Sequence, residues 1–206
     1  MGGGIGATPE PFAYSTIPHA RRHGPYGYRD YESYRDWLRD EFSFRCVFCL
    51  RREQWSLVMG TWDIDHFAPQ HDHPQHRLDY ANLLYICHAC NIAKSDQIVP
   101  DPCEVAFGES VEVHADGTID ALNENGEILI ETLRLGNEDH TRFRHLIINT
   151  LRSLVIHDRQ TYILWMRYPD NLPDLSRLRP PGNTKPEGIN DSCCARRVRG
   201  ELPEIY

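Results

Sequence analysis

Cys46-Val-Phe-Cys49 and Cys87-His-Ala-Cys90 are two C-x-x-C pairs, the spacing at which each turn offers two sulfurs to one cation. Zinc prefers four thiolates in a tetrahedron. Four leave no open coordination position, so a zinc held here is structural. The 37 residues from Leu50 to Ile86 exceed the roughly 15–20 of a simple ribbon. That insert brings a second donor set, with Asp65-His66 inside it, Asn82 near its end and Asn91 directly after the last cysteine. A histidine that titrates near neutrality can take a proton from water. A carboxylate and an amide oxygen suit a hard cation, and two protein oxygens leave room for phosphate and waters, as magnesium requires. The chemistry these residue types favour is metal-assisted hydrolysis.

Three stretches carry a resemblance. Asp65-His66-Phe-Ala-Pro69, then Asn82-Leu83, then Cys87-x-x-Cys90-Asn91-x-x-Lys94 resemble the successive motifs of the HNH nuclease family, in members that carry four zinc-binding cysteines. The resemblance implies His66 as general base and Asp65 with Asn91 as ligands of a catalytic magnesium or manganese. It implies that Asn82 pins the loop and orients His66 through backbone contacts. The implied activity is metal-dependent endonuclease cleavage, probable substrate DNA, leaving 5′ phosphate and 3′ hydroxyl. Asn91 stands where the family's name has a second His. Asparagine is a poorer ligand for soft metals, which favours magnesium or manganese over nickel or zinc. Lys94, one helical turn beyond Asn91, is expected to contact a flanking phosphate, and Arg51 and Arg52 to add local positive charge. The alternative is a zinc-ribbon module that binds nucleic acid or protein without catalysis. The complete set Asp65, His66, Asn82 and Asn91 argues against it.

These residues need elements to position them. Tyr31, Tyr34, Leu38 and Phe42 fall at helical spacing after Asp30, and the helix should end at the first cysteine turn. Leu57 to His66 reads as a strand, Ala68 to His76 as a proline-broken polar loop, and Asn82 to Cys87 as a second strand. Asn91 to Gln97 reads as a short helix. The result is a ββα arrangement in which zinc site and HNH site share one scaffold. On an ideal strand Asp65 and His66 point to opposite faces, so the strand must end or distort there. His71, His73 and His76 have no fixed ligand spacing and read as loop histidines.

Beyond the motif, Asp116-Gly117 and Asn125-Gly126 predict a small antiparallel β meander over Val111–Ile130. Phe143, Ile147, Leu151, Leu154 and Tyr162 predict one long helix from about Glu138 to Arg167, N-capped by Asn137. The fold class expected is α+β: a ββα-metal core with structural zinc, the meander and flanking helices. The segments expected are a flexible arm at 1–27, the nuclease core at 28–100, meander and helix packed on it at 101–169, and a proline-rich tail at 170–206. The run 116–137 and the helix after it resemble more loosely the C-terminal extension of stand-alone bacterial HNH proteins.

The chain has 206 residues, 40% hydrophobic and 25% charged, enough for a real core. No apolar run approaches a membrane span. Met1 to Gly6 lacks the basic and apolar segments of a signal peptide, and Gly6 removes the myristoylation pattern at Gly2, so the expected compartment is the cytoplasm. Seven cysteines, four in tight pairs, read as metal binding plus three free thiols, Cys103, Cys193 and Cys194. The net charge of −8 is unusual for a protein that grips a polyanion. It predicts weak intrinsic affinity for DNA, with local charge from Arg142, Arg144, Arg152, Arg159 and the stretch Arg196–Arg199, or a partner that supplies the affinity. By analogy with how such nucleases are deployed, that partner is a protein such as an ATPase of a bacterial defence or restriction system.

Overall fold

The computed structural model describes residues 10–55 and 62–206. Its centre is a two-stranded antiparallel ribbon, β2 (Trp62–His66) and β3 (Leu83–Cys87), followed without a break by the helix α2 (His88–Lys94). The register pairs Trp62 with Cys87 and His66 with Leu83. This is the ββα unit expected. Leu57 to Thr61, the first half of the expected first strand, lie outside the described residues. All five residues of β3 are buried, because α1 (Arg35–Glu41) covers one face and the cysteine turns the other. Asp30 caps the 3-10 turn that leads into α1, accepting a hydrogen bond from the Ser33 N–H at 2.9 Å.

The expected third strand of the meander is a helix. β4 (Val111–Val113) and β5 (Ile119–Ala121) form a hairpin around Asp116-Gly117, and α3 (Glu124–Thr132) follows. Asn123 N-caps α3 through a 3.1 Å hydrogen bond from the Gly126 N–H, so Asn125-Gly126 sit in a first helical turn instead of a hairpin turn. Leu129 and Leu133 then fall on the buried side at helical spacing. The expected long helix exists as two, α4 (Glu138–His157) and α5 (Arg159–Met166). Asn137 caps the first as predicted, at 2.8 Å from the His140 N–H. Asp158 leaves helical geometry between them and caps the second through Thr161. The break lets Ile147, Leu151, Tyr162 and Met166 close around Phe12.

Neither arm nor tail is loose among the described residues. β1 (Pro25–Tyr26) pairs with β6 (Gly182–Asn183), so the end of the arm and part of the tail segment form one small sheet. His23 and Asp40 are fully buried and meet at 2.9 Å. The other Asp40 oxygen accepts from the Cys193 N–H at 2.7 Å, where α6 (Cys193–Val198) begins. Glu41 accepts from the backbone N–H groups of Arg22 and His23, and from the Tyr80 hydroxyl. A polar, proline-broken composition signalled mobility. Buried carboxylates on α1 supply the partners that fix both segments in place. No helix among the described residues is long and apolar enough to cross a membrane.

Candidate active site and metal centre

The four sulfurs of Cys46, Cys49, Cys87 and Cys90 lie within 4.8 Å of one another, and all four residues are buried. Leu50 N–H bonds Cys46 O, and Cys49 N–H points at Cys46 Sγ at 3.5 Å, the geometry of a turn wrapped around its own sulfur. Val47 N–H bonds Tyr85 O, which fixes this turn against β3. Cys87 ends β3 and Cys90 lies in the first turn of α2, so the second pair is presented by the strand–helix junction. Burial drives the Cys46 thiol pKa up, while hydrogen bonds from Cys46, Cys49 and Cys90 pull Cys87 down. Four buried sulfurs gathered within 4.8 Å fit a structural zinc, which would make all four thiolates.

The strand β2 stops at His66, and there the two expected residues converge. Asp65, His66 and Asn91 line one open cavity of about 430 Å³, together with Tyr31, Gln70 and Asp96. His66 Nε2 lies 2.9 Å from the carbonyl of Arg77. A carbonyl only accepts, so Nε2 carries the proton and Nδ1 keeps its lone pair. Nδ1 receives a hydrogen bond from the Gln70 amide at 3.1 Å. Burial lowers the His66 pKa below its ordinary 6.5, with the Arg77 carbonyl opposing.

Asn82 closes the loop that carries these contacts. Its Oδ1 accepts from Ala68 N–H at 2.7 Å, and its Nδ2 donates to the carbonyls of Ala68 and His76. The Phe67 N–H also bonds Asn82 O. Both ends of the loop are thereby tied next to Arg77, the residue whose carbonyl holds His66.

Asp65 is 6% exposed, and burial pushes its pKa up to about 6, against the pull of Lys94. Lys94 is the main departure from the sequence reading. Expected at a flanking phosphate, it is fully buried, with Nζ 3.1 Å from Asp65 Oδ2 and 3.1 Å from His66 O. A buried ammonium needs compensation, and the end of β2 provides it. Nζ is also 3.3 Å from Oδ1, so the ammonium sits across both oxygens of a buried carboxylate that lines the cavity. Asn91 turns its Nδ2 onto Asp63 Oδ2 at 2.9 Å, and His88 Nδ1 meets the same oxygen at 2.7 Å. That assigns the Asn91 amide nitrogen and leaves its Oδ1 as the acceptor not engaged by Asp63.

Arg52 is also withdrawn from any nucleic acid. It is 2% exposed, donates to Met166 O and stacks 4.2 Å over the Tyr206 ring. Arg51 is half-buried, 4.3 Å over Phe143. Arg144 is buried and donates to Gly117 O, whereas Arg142, Arg152 and Arg159 are exposed. Sequence reasoning missed Asp63, Gln70, Tyr31 and the Arg77 carbonyl. Asp63 had a usable signal, since it lies two residues before Asp65 and shares its strand face. The others come from a loop and a distant turn, and no spacing announces them.

No curated protein matches the chain. Residues 46–97, about a quarter of the chain, match the family model described as HNH endonuclease. That segment runs from the first cysteine to three residues beyond Lys94 and contains all four sulfurs, Asp65, His66, Asn82 and Asn91. A buried four-sulfur cluster and the matched ββα unit thus make residues 46–97 an HNH endonuclease domain of the four-cysteine type.

Proposed function

We propose that this domain makes the protein a metal-dependent endonuclease that hydrolyses phosphodiester bonds, with DNA as substrate. The observation that carries the reading is the unprotonated Nδ1 of His66, engaged only by the Gln70 amide, in the same cavity as Asp65 and Asn91. The donor set fits a hard cation, with the Asp65 carboxylate and the Oδ1 of Asn91 as its protein oxygens. A magnesium or manganese ion bound there would supply positive charge to a phosphate and to its departing oxygen. His66 Nδ1 takes a proton from a water molecule, and the water oxygen forms the new bond to phosphorus as the bond to the 3′ oxygen breaks. Gln70 must swing aside for this, which its exposed position permits. The Arg77 carbonyl favours the imidazolium that results. The released 3′ oxygen takes its proton from solvent, leaving 5′ phosphate and 3′ hydroxyl.

A second reading has its own support. Lys94 already compensates Asp65, and a protein cation at that carboxylate competes with a metal. The domain would then be a zinc-ribbon binding module. Plasmid nicking in the presence of magnesium, manganese or EDTA separates the two. The nuclease reading expects metal-dependent nicking, lost by about a hundredfold or more in His66→Ala while zinc content is unchanged. Undiminished nicking by that variant rules out His66 as the base. The net charge of −8 supports, as part of the same proposal, delivery to DNA by a partner protein, and the role as a defence or restriction-type effector is proposed by analogy with how such nucleases are deployed.

A further inference from the structure

We propose that Arg77 and Tyr31 grip the substrate at the mouth of the catalytic cavity, Arg77 on a phosphate flanking the scissile one and Tyr31 against the adjoining nucleotide. The inference rests on the nuclease reading and extends it to Tyr31, which lies outside the matched segment.

Several cations of this acidic chain are already paired with carboxylates. Arg35 pairs with Glu32, Arg39 with Glu53, Arg167 with Asp170, Arg199 with Glu201 and Lys94 with Asp65. Arg77 is exposed and has no acidic partner among the described residues. Its guanidinium stands 5.6 Å from the Tyr31 ring. That ring meets the His66 ring edge-on at 5.0 Å and lines the cavity. Phosphates follow one another at about 3.4 Å of axial rise along a strand, so a cation one ring beyond the base meets a neighbouring phosphate, not the scissile one.

Position adds a second argument. The backbone carbonyl of Arg77 holds His66 Nε2, so the side chain is anchored at the same point as the base. Tyr31 is half-buried against His66, with a rigid ring of the kind on which bases stack regardless of sequence.

The test measures binding of a fluorescent duplex by the zinc-loaded protein over a salt series, without added divalent cations, and scores cleavage separately. Arg77→Gln should reduce the slope of log affinity against log salt by about one, and Arg77→Lys should restore it. Tyr31→Leu should weaken binding roughly tenfold with the slope unchanged. Equal slopes for the wild type and Arg77→Gln overturn the proposal, as does a slope lost equally in Arg77→Lys with zinc retained. Absence of salt-dependent binding by the wild type overturns it too. A slope that falls as expected in a protein that cleaves nothing keeps the grip and removes the nuclease reading.

Discussion

Burial pushes Asp65 up to about 6 and holds His66 below 6.5, so at neutral pH the carboxylate is ionised and the imidazole neutral. Those are the states in which one can hold a cation and the other can accept a proton. Acid disables both in the same direction. Asp65 protonates as pH falls through about 6, and His66 gains its proton below its ordinary 6.5. Nicking rates should therefore be level between pH 7 and 8 and fall below pH 6. The acid limb should move to lower pH as magnesium is raised, because a bound cation opposes protonation of Asp65. A limb centred above pH 7, or one indifferent to magnesium, would contradict the assignment of Asp65 as ligand. The residue identities behind this behaviour were readable from the chain. The tautomer of His66 was not, since it depends on a carbonyl eleven residues away.

At the scale of elements, a glycine shows why one prediction failed. Asn-Gly suits a hairpin turn, and it equally suits a capped helix start when another asparagine, here Asn123, stands three residues before the glycine. Packing decided between them. A Cβ on Gly126 would stand 2.0 Å from Ser110 O and 3.2 Å from Ala121 Cα, so α3 lies directly against the β4–β5 hairpin at that point. Gly126→Ala gains about 0.5–1 kcal/mol of helix propensity. Displacing backbone typically costs more, about 1–3 kcal/mol. The net expectation is a melting temperature lower by several degrees, measured by calorimetry. A variant as stable as the wild type would mean that α3 moves freely on the hairpin. The end of β2 follows the same logic in reverse. The requirement that Asp65 and His66 share a site demanded a strand end, and the strand does end at His66.

At the scale of the molecule, two buried centres join distant segments. The four cysteines connect the turn after α1 to the start of α2 across the insert. Structural zinc contributes about 10–16 kcal/mol of apparent binding free energy, comparable to the whole stability of a domain, about 5–15 kcal/mol. Cys87→Ser should give a zinc-free, misfolded protein by metal analysis and circular dichroism. A folded, active, zinc-free variant would overturn the assignment. The second centre is Glu41, which is 1% exposed and joins the arm to α1 and Tyr80. Burial alone would raise its pKa, but hydrogen bonds from His19 and the Arg22 N–H, with the charge of His23, lower it to about 2 from 4.5. A depressed carboxylate stabilises the fold above its unfolded value, and that stability is lost as pH falls from about 4.5 towards 2. The shift corresponds to on the order of 3 kcal/mol. Glu41→Gln should melt roughly 5–10 °C below the wild type at pH 7, with the gap narrowing below pH 4.5. A gap that stays constant with pH would place the effect in packing instead of charge.

The sequence by itself determined which residues have the chemistry to hold a metal or to take a proton. Sulfur, imidazole and carboxylate chemistry is a property of residue type, and the spacing of Cys46, Cys49, Cys87 and Cys90 has few other uses. Only the tertiary structure decided which charges meet solvent. Lys94, Arg52 and Arg144 are chemically the same as any exposed cation, and they are buried because a carboxylate, a carbonyl or an aromatic face from a distant segment receives them. The same holds for arm and tail, whose composition signalled mobility until Asp40 and Glu41 gave their backbones partners inside the fold.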